Sequence, residues 1–254
     1  MNAASLATRH AQKVQFNLQG INVHFGAHQA LHNIDLQIAK GDRLALIGAN
    51  GSGKSTLLRV LHGLITSKSL KTTGQLTGLI ETMPGTRQAM LFQRPHMLRM
   101  SVLTNVTLAA WLHGQSWRTA KQQAMVELKR VGLHDLSHRQ ASTLSHGQQQ
   151  RMAFARATVT QPNVLVLDEP TASMDPRSKR EVEGLMQDFA DQDSGLTLIF
   201  ASHNLGQVKR LATHVAYLEY GNILAYLPVA EFFDEDRLQT VSEQAHKFLK
   251  GDLL

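Results

Sequence analysis

Cysteine is missing from this chain of 254 residues, which excludes disulfides and agrees with a reducing compartment. Long apolar runs are missing too. The longest, near Val164 to Leu167 and Leu196 to Ala201, fall far short of the roughly 20 residues that a bilayer-crossing helix needs. The start of the chain has no apolar run of signal-peptide length, so the expectation is a cytoplasmic protein whose membrane, if one matters, is supplied by a partner. Dense basic runs are absent as well: Lys129-Arg130 and Lys179-Arg180 are isolated pairs. The net charge of +6 therefore reads as a solvated surface, favourable to phosphates of a nucleotide, a nucleic acid or an anionic lipid without choosing among them. There is no repeat and no low-complexity tract. His24, His28 and His32 stand four residues apart, but Gly26 interrupts any helix there, and a metal site is not read from them.

A 43% hydrophobic share is enough for one sizeable core, or for a core with a small insert. Val14 to Phe25 and Ile34 to Ile38 alternate apolar with polar residues and predict edge strands, while Arg43 to Ile47 predicts a more buried one. Glycines follow at once, and then Lys54 to Leu64 carries Leu57, Leu58, Leu61 and Leu64 at helical spacing. Thr66 to Thr73 is polar and predicts a loop. Residues 94 to 147 lack strand signals and show helical patterns at Ser101 to Leu112 and Arg118 to Val131, which predicts a helical insert. From there helix and strand alternate: Gln148 to Thr158, Val164 to Leu167, Pro176 to Ala190, Leu196 to Phe200 and Leu205 to Leu211. That alternation predicts an α/β fold with right-handed crossovers and a largely parallel sheet.

Gly48-Ala49-Asn50-Gly51-Ser52-Gly53-Lys54-Ser55 matches the phosphate-binding loop pattern and lies between a strand and a helix, where such a loop has to be. Its glycines let backbone N–H groups turn toward one point, and the helix that carries Lys54, Ser55 and Thr56 adds its positive end. Lys54 should reach the β- and γ-phosphates, and the Ser55 hydroxyl should ligate Mg²⁺. Asp168 and Glu169 end the apolar strand run, at the carboxyl edge where parallel sheets bind ligands. Asp168 suits the Mg²⁺ shell, and Glu169 is placed to accept a proton from an attacking water. Ser145 and Gln148 form a capping-box pattern, opening a helix whose free N–H groups suit a γ-phosphate.

Leu144-Ser145-His146-Gly147-Gln148 resembles the Leu-Ser-Gly-Gly-Gln signature of the ATP-binding cassette (ABC) family, and the order of the motifs follows that family. The resemblance implies a P-loop NTPase (RecA-like) core with an antiparallel β-subdomain and an inserted α-helical subdomain. It sets the core at residues 1–93 and 148–254 and the helical subdomain at 94–147. It further implies that Gln93 senses Mg²⁺ and the attacking water, that His203 contacts the γ-phosphate, that Gly147 belongs to the signature, and that Asp175 communicates across a dimer. Phe25 resembles the aromatic that stacks on adenine, with membership of the β-core as the alternative. His146 replaces a glycine, which would carry a cost if its position required a positive φ or a close backbone approach. The segment from Arg94 to Met100 either meets a membrane subunit or packs within the helical subdomain.

The same resemblance implies an ATPase that works with a second ATPase subunit, as a homodimer, at the cytoplasmic face of the inner membrane. Its other partners are integral-membrane transporter subunits and, indirectly, an extracytoplasmic solute-binding protein; no nucleic acid is expected. Gln93-Arg94-Pro95, Ser202 to Gln207 and Ala230-Glu231-Phe232-Phe233 resemble tungstate or molybdate importer ATPases, and phosphate importers share part of this. A soluble ABC protein acting on nucleic acid or ribosomes, and an ATP-binding regulator without turnover, are the competing readings.

Overall fold

The computed structural model describes residues 13–70, 74–192 and 195–251. Two compact units emerge: the described residues up to 86 together with those from 195 onward, and those between 87 and 192.

The first unit begins with β1 (Val14–Phe25) and β2 (His28–Ala39), which pair antiparallel through a tight turn at Gly26-Ala27. Alternation places Phe16, Leu18, Ile21 and Val23 of β1, with Leu31, Ile34, Leu36 and Ile38 of β2, in the core. Strand β2 is longer than its alternating stretch: its pairing runs on from Ile34 to His28 past a register irregularity, beside which Asn33 adopts a φ of 44°. Strand β3 (Arg43–Ile47) is buried from Leu44 onward, as a strand covered on both faces should be. Helix α1 (Lys54–Leu61) follows the glycine-rich loop. It stops three residues before the predicted end because Gly63, at φ 78°, closes it. The N–H of Gly63 bonds to the Val60 carbonyl and that of Leu64 to Arg59, a Schellman motif. Residues 66–70 form turns without a strand or helix, as a loop should, and the remainder of that loop lies outside the described residues. Strand β4 (Gly74–Thr82) then pairs antiparallel with β1. Most of its side chains are exposed, which is why no apolar alternation announces it.

The second unit opens with β5 (Gln88–Leu91), and a hairpin of helices follows, α2 (Val102–Leu112) and α3 (Trp117–Arg130). Ser101 and Ser116 cap them by accepting from the N–H groups of Thr104 and Thr119. Helix α4 (His146–Thr158) leads to β6 (Val164–Asp168), which is buried throughout and parallel to β5. Helix α5 (Pro176–Gln192) closes the unit, with proline at its first position where the missing N–H costs nothing.

The chain returns to the first unit with β7 (Thr197–Ala201), α6 (Leu205–Leu211), β8 (His214–Glu219) and β9 (Asn222–Pro228). Strand β3 lies between β7 and β8, parallel to both, and β9 pairs antiparallel with β8. Three helices finish the described chain: α7 (Val229–Phe232), α8 (Glu235–Val241) and α9 (Glu243–Lys250).

Candidate functional site

In the first unit, the loop after β3 is shaped by its neighbours. Gly48 has φ 141°, and a Cβ there would lie 2.0 Å from the Leu218 carbonyl oxygen. Gly53, at φ 103°, would push a Cβ to 2.9 Å from the Ala30 carbonyl oxygen and the Leu31 side chain. Glycine is required at both positions by conformation and by space. The loop is braced by the β8–β9 turn, whose Tyr220 and Gly221 both have positive φ, 45° and 75°, as a two-residue type I′ hairpin demands. Gly221 donates its N–H to the Ser52 carbonyl at 3.0 Å, and its own carbonyl accepts from His32 at 2.8 Å.

Lys54 is 5% exposed, and its ammonium donates to the carbonyl oxygens of Gly48 and Ala49, each at 2.9 Å. These two acceptors are carbonyls of the loop itself, so the loop backbone fixes where the ammonium lies. The buried Ser52 hydroxyl has no hydrogen-bond partner, whereas Ala49, Asn50 and Gly51 are exposed. A cradle of turned N–H groups, a poised ammonium and an orphaned hydroxyl fit a polyphosphate. Ser55 and Thr56 are half-buried in the first turn of α1. His203 lies exposed two residues beyond β7, and since Leu46 is in register with Ala201, it leaves the same end of the sheet as the phosphate loop. Beneath it the buried Ser202 donates to Gln207 at 2.6 Å and accepts from the Asn204 N–H at 3.0 Å. Phe25 ends β1 with 37% of its surface exposed, so it is not part of the β-core.

In the second unit, parallel register brings two expected residues together. Leu91 of β5 pairs with Leu167 of β6, so Gln93 and Glu169, each two residues further on, leave side by side. The Gln93 amide donates to Glu169 at 3.2 Å. Glu169 holds φ 46°, a left-handed conformation uncommon outside glycine and frequent at functional sites. Asp168, one residue earlier, is buried at 4% exposure. A carboxylate at the carboxyl end of a parallel strand is a hard oxygen donor of the kind that suits Mg²⁺.

The signature forms the start of α4. The Ser145 side chain accepts from the Gln148 N–H at 3.4 Å while the Gln148 side chain accepts from the Ser145 N–H at 3.0 Å, the reciprocal box expected from the spacing. His146 is the first helical residue, exposed and free of positive φ, so its imidazole carries no backbone penalty. Gly147 is buried. Asp175 caps α5, accepting from the N–H groups of Arg177 and Ser178 at 3.0 Å each, and the Ser178 hydroxyl beside it holds its carboxyl below the usual range.

Three contributors escaped the sequence reading. Strands β8 and β9 brace the phosphate loop, and Tyr220-Gly221-Asn222 was a legible turn signal. Asn105, 1% exposed, accepts from the Leu98 N–H at 3.0 Å and donates to the carbonyls of Leu98, Met100 and Ser101. Arg156 donates to the His96 carbonyl at 2.8 Å. Together they pin the segment after Gln93 while Leu98 and Met100 stay 39% and 44% exposed, so that segment is only partly packed within its own unit. A buried asparagine inside an apolar helix pattern was the only advance signal for this.

A family model described as ABC transporter matches residues 31–172. The phosphonates import ATP-binding protein PhnC of Escherichia coli is 38% identical over 233 residues, 84% of this chain and 88% of that protein. Among solved structures, an inward-facing metal-chelate type ABC transporter is 26% identical with TM-score 0.73, covering 90% of this chain and 89% of that one. The fold also matches cbiO1 from Clostridium perfringens, part of the transporter complex cbiONQ, at TM-score 0.75 and 24% identity over 94% of this chain and all of that one.

Proposed function

The chain belongs to the ABC transporter family and is an ATPase, and we propose that it works as a paired cassette that powers import of a small oxyanion. The observation that carries this reading is the Lys54 ammonium resting on the Gly48 and Ala49 carbonyls inside a loop whose positions 48 and 53 require glycine. It is a phosphate site held ready for charge.

Each side chain then has a task. Lys54 and the N–H groups of residues 48–56 bind the β- and γ-phosphates, and Phe25 stacks on adenine. The oxygens of Ser55, Asp168 and Gln93 are the donors assigned to Mg²⁺, which when bound neutralises phosphate charge as it shifts toward the leaving group. Glu169 accepts the proton of the attacking water, Gln93 orients that water and the carboxylate, and His203 donates to the γ-phosphate. Ser145, Gly147 and Gln148 present the first turn of α4 to the nucleotide of a second copy, with Asp175 beside them. Residues 94–147 serve as the helical subdomain that meets the membrane subunits, and the partly exposed Leu98 and Met100 suit that docking. No helix among the described residues is long and apolar enough to cross a membrane; in this reading the membrane-spanning subunits are partners, and this subunit sits peripherally at their cytoplasmic side.

For the cargo, similarity to phosphonates import proteins extends over 84% of the chain, whereas the tungstate or molybdate resemblance rests on short segments. All are tetrahedral oxyanions, and phosphonate is the member with the longer match behind it. The test is ATPase activity of the complete complex with its membrane subunits and solute-binding protein. Stimulation by alkylphosphonates above that by phosphate, molybdate or tungstate supports the reading; a response to none of them ends the oxyanion assignment.

A further inference from the structure

The first turns of α4 and α5 touch. A Cβ placed on Gly147, the second residue of α4, would lie 2.6 Å from Oγ and 2.8 Å from Cβ of Ser178, the third residue of α5. An alanine at 147 therefore forces one turn to move. Ser178 is bound at its other side to Asp175, donating its N–H to Oδ1 at 3.0 Å and its hydroxyl to the same carboxyl group. One turn further along, Arg151 of α4 pairs with Glu181 of α5 at 3.5 Å, and Arg177 reaches the same Glu181 at 3.3 Å. Contacts at 147 with 178 and at 151 with 181 fix the angle between the helix ends as well as their distance.

We infer that Ser178 is a positioning residue that joins the signature turn to the Asp175 loop, so that both face a second subunit as one rigid edge. This rests on the paired-cassette reading above. The physical need follows from it. N–H groups at the start of α4 stabilise a γ-phosphate only when aligned to within fractions of an ångström, and a four-residue cap on an exposed turn cannot supply that stiffness alone. Packing against Ser178 supplies it, and it also makes any movement at Asp175 a movement of the signature.

The experiment compares Gly147→Ala, Ser178→Ala and the double variant Gly147→Ala/Ser178→Gly as full-length chains. Gly147→Ala should lower kcat about tenfold or more, the scale of a small misplacement. ADP affinity should stay unchanged, because the phosphate loop binds ADP without the signature. The double variant removes the atoms that collide but also lacks the Ser178 hydroxyl, so its kcat should rise above that of Gly147→Ala only as far as the Ser178→Ala level. Ser178→Ala keeps the Cβ but loses the hydroxyl, and should lower kcat about fivefold, the scale of one hydrogen bond, again with ADP affinity intact. A wild-type kcat in Gly147→Ala, or a double variant as slow as Gly147→Ala, overturns the inference. Should Gly147→Ala not fold, an unchanged kcat in Ser178→Ala overturns it equally. Failure of the paired-cassette reading shows elsewhere: an isolated wild-type subunit that hydrolyses ATP at full rate while light scattering finds it monomeric.

Discussion

Two glycine-bearing turns, both assigned to phosphate in the proposed function, are built differently. At the phosphate loop, Gly48 and Gly53 have φ of 141° and 103°, and the nearest obstacle to a side chain is backbone, the Leu218 and Ala30 carbonyls. At the signature, Gly147 has no positive φ and its obstacle is a serine side chain, while its neighbour His146 is an exposed residue in ordinary helical conformation. The first turn is specified by the backbone and tolerates almost nothing. The second is specified by caps and side-chain contacts, and tolerates change wherever the side chain points to solvent. On the proposed assignment the same contrast separates binding from chemistry, with the Lys54 loop gripping phosphate and Gln93 and Glu169 acting on water.

Glu169→Gln tests that separation most severely. The amide retains size and can still pair with Gln93, but it cannot accept a proton, so hydrolysis should fall by about 10²–10⁴ while ATP affinity is kept. The variant should accumulate as an ATP-bound dimer, and wild type should dimerise only transiently. Light scattering with MgATP and with MgADP, at high protein concentration, reads this directly. Retained turnover would move the general base away from Glu169, and loss of ATP binding would erase the distinction between the two regions.

Lys54→Ala attacks the other side. The ammonium resting on two carbonyls is lost, and turnover should drop about 10²–10³, the scale of one preorganised donor to developing charge. Here nucleotide binding should fail along with the rate. Calorimetric titration with MgATP reads it, and near wild-type turnover would defeat the assignment of the loop.

The sequence was most legible where backbone geometry dictates residue type. Glycines before Lys54, the proline at 176 and the Ser145/Gln148 box each announce a conformation, and strand β6 announces itself by unbroken burial. Strands β4, β8 and β9 were not legible, because β4 is largely exposed and β8 and β9 are recognisable only through their pairing and the Tyr220-Gly221 turn. Register was likewise invisible: nothing in the letters says that Leu91 lies opposite Leu167, which is what places Gln93 on Glu169. The Ser178 contact belongs to the same class, since a serine on a charged helix gives no sign that it faces Gly147 across a helix pair.

Phe25→Ala is a milder test on the binding side. Stacking acts on ground and transition states alike, so the ATP Michaelis constant should rise by the equivalent of about 1–3 kcal/mol with the maximal rate nearly unchanged. Phe25 is exposed at the end of β1, so thermal stability should barely move. A large fall in melting temperature with an unchanged Michaelis constant would show packing in place of stacking.

His146→Gly carries the smallest expected effect and bears most directly on the contrast between the two turns. If the signature were specified like the phosphate loop, a histidine there would be a strained compromise, and restoring glycine would relieve it and raise stability. His146 instead occupies the first helical position without positive φ, and glycine there loses backbone freedom on folding. The variant should therefore be slightly less stable, by under about 1 kcal/mol, with an ATPase rate within about twofold of wild type because the Ser145 cap and the Gly147 contact remain. Paired denaturant melts and steady-state rates decide it. A stability gain would place hidden strain in the signature turn. A rate that collapses would mean that the imidazole itself reaches phosphate, a contact that the glycine could not replace through a side chain.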